Sequence, residues 1–353
     1  MPRRAALSAL IIAGGRGTRL WPASRERQPK PLFSADGKRS LLEATIARLS
    51  PTVARERIFV LVAAAQATAF RRALRGLIPA RNLIVEPAAR GTAVAIAYGM
   101  AAIERRAGAG VVAVMPADHI IEPAAGLRAT IAAAAALASS RHALVVIGIA
   151  PTRPETGFGY QKIGAAIGAG FKVEQFIEKP PLARARRMVR SGKYLWNAGM
   201  FVMDSRTLEA ELRAHSPALA SAAKALVAMP RAKFERAYKR LKFESFDREV
   251  VERSRNVVGV RARFRWHDVG SWEGLRQAVG GGDGASVTRG HVLALDSERI
   301  VAHSDTRLMV IFGVSDVIAI DTGDAILITH RNQSDAIRRV TDALATRGLH
   351  KYL

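Results

Sequence analysis

The first 150 residues alternate between two hydrophobic rhythms. Short apolar runs at 6–13, 57–63, 82–86, 110–115 and 143–149 are rich in Val, Ile and Leu and stop at Gly, Pro or polar residues. Unbroken runs of about four to eight such residues predict strands buried on both faces. Between them, residues 41–49, 66–77, 92–105 and 127–138 carry apolar side chains at helical spacing. Strand and helix in alternation build βαβ units, so the chain predicts an α/β fold with a mainly parallel sheet covered on both sides. In such sheets ligands bind beyond the carboxyl ends of the strands. The polar residues that follow each strand are therefore the candidates for chemistry.

The pattern changes near residue 150. Further strands are predicted at 158–163, 171–177 and 199–203, with helices near 182–191 and 206–214. Residues 280–286, Gly-Gly-Gly-Asp-Gly-Ala-Ser, read as a flexible linker. Beyond it, short β runs at 290–294, 300–302, 308–312, 317–321 and 325–329 form a small all-β unit, closed by an amphipathic helix at 334–345. Two domains follow, 1–280 and 288–353. The second is too small to bury a good core alone, so its apolar runs must pack on the first domain or on a second copy. The start of the chain has the basic and apolar character of a signal peptide. It runs directly into a glycine loop, however, and a buried first strand is the expected structure.

Composition narrows the function. Half of the 353 residues are hydrophobic (49%), which excludes a disordered chain. There is no cysteine, so disulfides, thiolate zinc sites, iron–sulfur clusters and a Cys nucleophile are excluded. No apolar run reaches the roughly 18 residues of a membrane span. Lys and Arg number 54 against 30 Asp and Glu, a net charge of +24. The charge is mostly arginine and is spread along the chain, and aromatics are only 6%. That suits a solvated surface better than a base-stacking one. A field of this sign attracts polyanions, nucleoside triphosphates and sugar phosphates among them. Nucleic acid remains an alternative partner on charge alone.

Four segments carry chemistry. The first strand enters Gly14-Gly-Arg-Gly17, three glycines in four residues, followed by Arg19 and then Lys30. Backbone N–H groups there can approach an anion closely, and the cations can neutralise it. It is not a Walker A loop, which needs a Lys at its end, nor a dinucleotide fingerprint, since Leu20 stands at the third glycine position. Asp118 follows a buried strand, where a hard cation could be held. Glu178-Lys179 ends another strand, and Asp268 lies among glycine and aromatic residues. Two such carboxylates suit Mg²⁺, which completes its octahedron with water and phosphate oxygens. Each Asp could equally be a helix cap or turn residue.

Together these segments resemble the sugar-1-phosphate nucleotidyltransferases, and within them the mannose-1-phosphate guanylyltransferases. The resemblance rests on Ala13-Gly-Gly-Arg-Gly-Thr-Arg-Leu-Trp-Pro-Ala-Ser-Arg25 with Pro29-Lys-Pro31, and on Glu86-Pro-Ala-Ala-Arg-Gly-Thr-Ala93. Pro116-Ala-Asp-His119, Pro154-Glu-Thr-Gly-Phe-Gly-Tyr160 and Phe176-Ile-Glu-Lys-Pro180 continue it. Leu195-Trp-Asn-Ala-Gly-Met-Phe201 and Trp266-His-Asp-Val-Gly-Ser-Trp272 point to the mannose-1-phosphate branch. The segments stand in family order over about three quarters of the chain.

The resemblance implies a Rossmann-like catalytic domain followed by a small β-helix-like domain with a final helix. It implies transfer of GMP from GTP to α-D-mannose 1-phosphate, with Mg²⁺, in the cytoplasm, by a homodimer joined through the C-terminal domain. Ala13, Gly14, Gly15, Arg16, Gly17, Thr18 and Arg19 would hold the triphosphate, with Lys30 facing the α-phosphate. Asp118 and Asp268 would hold the metal. Glu86, Arg90 and Thr92 would line the nucleoside pocket. Gly159, Glu178 and Asn197 would meet the sugar, and Lys179 its phosphate. His119 and His267 are expected beside the metal rather than on it, and Trp196, Trp266 and Trp272 in the packing. Relatives commonly read Arg-Asn-Thr-Ala-Pro-Ala where this chain has Arg90-Gly-Thr-Ala-Val-Ala95, so Gly91 removes an amide near the base. The expected form is single-activity, without the isomerase domain of longer relatives. The same chemistry on glucose 1-phosphate with UTP or dTTP, or a silent nucleotide-sugar-binding regulator, stays open.

Overall fold

The computed structural model describes residues 6–15, 17–34, 37–279 and 284–353. Strands β1 (Ser8–Ile12), β2 (Ile58–Ala63), β3 (Leu83–Glu86) and β4 (Val111–Pro116) run parallel in the spatial order β3-β2-β1-β4. Alternate residues face opposite layers. Ile11, Val60 and Ala113 pack with Leu42 and Ile46 of helix Leu41–Leu49 and with Leu127 and Ile131 of helix Ala124–Arg141. Leu10, Phe59, Leu61 and Val112 pack on the other side with Val94, Ile96 and Met100 of helix Thr92–Ala107. Burial on both faces is what the unbroken apolar runs required.

The sheet grows to nine strands. β5 (His119–Glu122) leaves it, whereas β6 (Leu144–Ile149), β7 (Tyr160–Ile167), β8 (Gly170–Ile177), β9 (Tyr194–Asp204) and β10 (Val257–Arg261) extend the order as β9-β6-β10-β8-β7. β9 is antiparallel to both β4 and β6, so the sheet is mixed. β5 pairs instead with β11 (Arg265–Asp268), and this short ribbon sets Asp268 opposite His119. Between β9 and β10 lie helices Ser205–His215, Pro217–Ala228 and Arg231–Arg240 and a π-helical turn, Asp247–Val251.

The C-terminal unit is a four-stranded sheet, β12 (Val287–Leu295), β13 (Val301–Phe312), β14 (Val317–Asp321) and β15 (Ile326–His330). Two predicted runs, 300–302 and 308–312, are one strand that bends at Ser304–Arg307. Asp321 ties that bend, accepting two bonds from Arg307 at 2.7 and 2.9 Å. The linker prediction over 280–286 falls partly outside the described residues, since 280–283 are not among them. A final 3-10 turn, Arg331–Ile337, leads into helix Arg338–Thr346.

The C-terminal unit packs directly against the glycine-loop segment. Leu20, Trp21, Val269 and Trp272 share one apolar cluster with Val301, Ile318, Ile320, Leu327 and Ile337, flanked by Val340 and Leu344. Arg25 grips Asp324 through two bonds of 2.5 and 2.7 Å, and Trp21 Nε1 donates to the Tyr352 carbonyl at 2.8 Å. The last helix thus covers its own subunit. The outer face of the unit is different. β12 and β13 pair Leu293 with Val310 and Leu295 with Phe312, and these side chains stand exposed beside Leu308, 70% open to solvent. Among the described residues no helix is long and apolar enough to cross a membrane.

Candidate active site

The carboxyl ends of β1 and β4 lie side by side, and the site is built there. Ala13 and Ala117 continue the ladders past the strand ends, with Ala13 N donating to Leu61 O at 2.9 Å and Ala117 N to Ile12 O at 3.1 Å. The chain after Gly14 and Gly15 reverses at Gly17, whose φ of +59° is the left-handed conformation that glycine adopts freely. A Cβ there would lie 2.6 Å from Lys30 Cβ. Glycine therefore lets the loop fold down onto Lys30. Arg16 lies outside the described residues. Thr18 opens the 3-10 turn Thr18–Leu20 that carries Arg19.

Lys30 is buried, and its ammonium points between the two predicted carboxylates. Nζ lies 2.6 Å from Asp118 Oδ2 and 3.9 Å from Asp268 Oδ1. Burial pushes the Asp118 carboxyl up, but Lys30 and His119 beside it more than offset this and hold it below the ordinary value. Arg19 closes the group: a Cβ on Gly270 would be 2.9 Å from its guanidinium and 3.4 Å from Asp268 Oδ2. Its NH1 is 3.4 Å from Asp335, at the start of the closing helical segment. Lys30 thus lies between the two carboxylates, and Arg19 stands across Gly270 from Asp268. Two hard carboxylate oxygens aimed at a single cation form a donor set that fits a divalent metal such as Mg²⁺.

His119 packs against Trp266. Its Nδ1 accepts a hydrogen bond from Trp266 Nε1 at 3.1 Å, and burial lowers its proton affinity. Trp196, Trp266 and Trp272 are buried packing residues.

On the β9 side, the predicted sugar residues converge. Asn197 N donates to Gly159 O at 2.8 Å, and a Cβ on Gly159 would stand 2.8 Å from Glu178 Oε2. Glu178 is buried and its Oε1 meets Lys179 Nζ at 3.2 Å. Lys179 has φ of +48°, an uncommon conformation for a side-chain-bearing residue and one associated with functional sites. The β4–β9 register runs Val111 with Asp204 to Val114 with Phe201. Beyond Phe201 β9 is irregular, with Gly199 at φ of +65°, but a Cβ on Gly199 would stand 3.7 Å from Pro116 Cγ, and the Trp266 ring packs on both Phe158 and His119. The sugar group and the metal group are therefore neighbours.

Sequence reasoning missed Asp247. Its carboxylate accepts from Asn197 Nδ2 at 2.8 Å, while Asn197 Oδ1 accepts from Gly199 N at 3.2 Å, which fixes the amide's orientation. Burial and the nearby Glu178 raise Asp247 to about 7. The residue sits in the π-helical turn, a rare geometry that often marks functional positions. No local motif announces it.

The predicted nucleoside residues lie on the opposite flank, at and after the end of β3. Burial raises Glu86 to about 7, although Tyr238 donates a 2.5 Å hydrogen bond to it. Thr92 Oγ1 is engaged by Phe246 N at 2.9 Å. Arg90 Nε is buried without a partner among the described residues. A cleft of about 490 Å³ opens beside Arg90 and Gly91 towards Lys242 and Glu249.

Residues 8–280 match the nucleotidyl transferase family, and residues 290–344 match the mannose-P isomerase/GMP-like β-helix domain. The xanthan biosynthesis protein XanB of Xanthomonas campestris pv. campestris (strain B100) is 36% identical over 96% of this chain and 73% of its own length. The mannose-1-phosphate guanylyltransferase of Escherichia coli K12 is 34% identical over 98% of this chain and 75% of its own. The chain belongs to the mannose-1-phosphate guanylyltransferase family. A crystal structure from Thermus thermophilus, described as a mannose-1-phosphate geranyltransferase, matches with 35% identity and a TM-score of 0.88 over 96% of this chain and 99% of that one. Family membership accounts for the order of the segments.

Proposed function

We propose that the protein transfers GMP from GTP to α-D-mannose 1-phosphate, giving GDP-mannose and pyrophosphate. The observation that supports this best is Lys30 lying between Asp118 and Asp268, with Arg19 across Gly270 from Asp268, next to the Gly159–Glu178–Asn197 group. An oxygen of the sugar phosphate attacks the α-phosphorus, and the bond to the β-phosphate oxygen breaks as pyrophosphate leaves. Both reactants are anions, so the barrier is largely repulsion and alignment. No covalent nucleophile is required. The glycine loop and Arg19 bind the triphosphate, Lys30 neutralises charge at the α-phosphate, and Lys179 holds the attacking phosphate. Glu178 and Asn197 accept and donate hydrogen bonds to the sugar hydroxyls, with Asp247 holding Asn197 in register. Mg²⁺, held by Asp118 and Asp268, supplies charge neutralisation between the phosphates when bound.

The exposed ladder of Leu293, Leu295, Leu308, Val310 and Phe312 supports a homodimer joined through the C-terminal unit, because a face this apolar is stable when covered. A twofold pair is the commonest way to cover it. The substrates are metabolites of the cytoplasm, which is the compartment we assign.

Pyrophosphate release measured across the four NTPs, each with mannose 1-phosphate and glucose 1-phosphate, tests the reading. GTP with mannose 1-phosphate should exceed every other pair. A preference for UTP or dTTP with glucose 1-phosphate would replace it, and no turnover with any pair would leave a binding protein.

A further inference from the structure

A second cleft, about 430 Å³, opens on the outer side of helix Thr92–Ala107, against the turn between helices Pro217–Ala228 and Arg231–Arg240. Its size falls in the range of small-molecule sites, roughly 300–1,000 Å³. Tyr98 and Phe234 form one wall, with ring centroids 5.2 Å apart and both rings half-buried. Arg105, Arg106 and Arg231 stand on its rim, and no acidic residue lines it. Arg105 is anchored to the Val227 carbonyl and Arg106 to the Arg81 carbonyl at 2.6 Å. Neither has a carboxylate partner among the described residues, while Arg231 has a single 3.6 Å contact with Glu235. Anchored guanidinium groups without counter-ions, beside an aromatic wall, suit a ligand with a planar ring at one end and phosphates at the other.

The cleft is wired to the site. The Tyr98 ring lies edge-on to Tyr238 at 5.5 Å, and Tyr238 donates its hydroxyl hydrogen to Glu86 at 2.5 Å. The other Glu86 oxygen faces the glycine loop, where a Cβ on Gly14 would be 2.8 Å away. A ligand that shifts Tyr98 therefore acts on a carboxylate pressed against the loop.

We infer that this cleft is a second nucleotide site, taking a nucleoside di- or triphosphate, and that its occupancy reaches the glycine loop through Tyr98, Tyr238 and Glu86. The transmission rests on the nucleotide reading of that loop, whereas binding at the cleft does not.

Calorimetric titration with GDP tests both parts. The wild-type chain should take up about two equivalents, and the Arg105→Ser/Arg106→Ser variant about one, with its melting temperature unchanged. Phe234→Trp gives a direct readout: GDP should quench the added fluorescence, and in the triple variant quenching should need at least about tenfold more GDP. One equivalent in the wild type, or equal quenching with and without the two arginines, would overturn the site. For the transmission, filling one site should change the other's GDP affinity by about fivefold or more in the wild type and not in Tyr238→Phe. Independent sites in the wild type would overturn that part alone. If two equivalents bind but no sugar-phosphate pair turns over, the cleft stands and the proposed reaction falls.

Discussion

Lys30 and Asp118 are 88 positions apart in the chain and 2.6 Å apart at the site. The pairing follows from β1 lying directly beside β4, and from a glycine at 17 that lets the loop settle onto the lysine. The ammonium neutralises a carboxylate that burial would otherwise push towards protonation. The carboxylate is thereby held in its charged form at the carboxyl end of β4.

Asp118→Asn and Asp268→Asn should each abolish turnover while leaving the fold intact. Each removes one of two hard oxygen donors, and uncovered phosphate repulsion should cost about a thousandfold or more in kcat. Circular dichroism checks the fold. Near-normal turnover of either variant at saturating Mg²⁺ would sink the shared-metal assignment.

The two anion sites should separate kinetically. Lys179→Ala should raise KM for sugar phosphate about tenfold or more with little effect on GTP, and Arg19→Ala the reverse. Lys179 is on the β8–β9 side beside Glu178, whereas Arg19 is in the first loop. Equal effects of both variants on both substrates would mean that the site is not divided this way.

Asp247→Ala should behave like a weaker Lys179→Ala. Its loss frees the Asn197 amide to rotate, which should raise KM for the sugar phosphate several-fold and leave KM for GTP alone. Asp247→Asn, which keeps an oxygen acceptor towards Asn197, should restore most of it. Failure of that conservative change to rescue would argue against a positioning role.

Glu86 gives a pH signature. Its folded value of about 7 lies above its ordinary 4.5, so the folded state holds the proton more tightly. The stabilisation is full below about 4.5 and is lost as pH rises through about 7, an effect of up to about 3 kcal/mol. Glu86→Gln lacks this titration. Urea denaturation should therefore find the variant gaining on the wild type between pH 5 and pH 8. A constant difference across that range would show that folding does not raise the Glu86 carboxyl into it.

Removing residues after Gly284 should yield aggregating protein with weakened activity, because Leu20, Trp21 and Trp272 lose the apolar residues that cover them. Leu308→Asp with Phe312→Asp should leave the fold but give a monomer by light scattering. A monomeric wild type at micromolar concentration would refute the dimer, and an active, soluble truncation would show that the unit is dispensable.

Much of the sheet was legible because β1, β2, β3, β4 and β6 are apolar without interruption, which only a doubly covered strand requires. β5 and β11 were not. Residues such as His119-Ile-Ile-Glu122 and Arg265-Trp-His-Asp268 are short and mixed in polarity, and each becomes a strand only by pairing with the other across the chain. β13 read as two runs because Asp305-Thr-Arg307 is polar, yet its bend is held by Asp321, a partner no local pattern reveals. The glycine loop, Asp118 and Asp268 sit at strand ends where topology predicts chemistry, and Lys30 reaches them from the short turn Lys30–Leu32. Asp247 does not, since its relevance comes from a contact with Asn197, fifty positions away.

The bond from Trp21 to the Tyr352 carbonyl has a consequence for biosynthesis. The loop that follows β1 leaves the ribosome long before its packing partners, residues 301 to 352. The nascent chain can assemble the parallel sheet while translation continues, but Leu20 and Trp21 stay uncovered until the four-stranded unit has emerged. Through that interval the emerging polypeptide offers chaperones an apolar segment next to the glycine loop. The rate of translation between these two segments thus sets how long the half-made enzyme remains exposed.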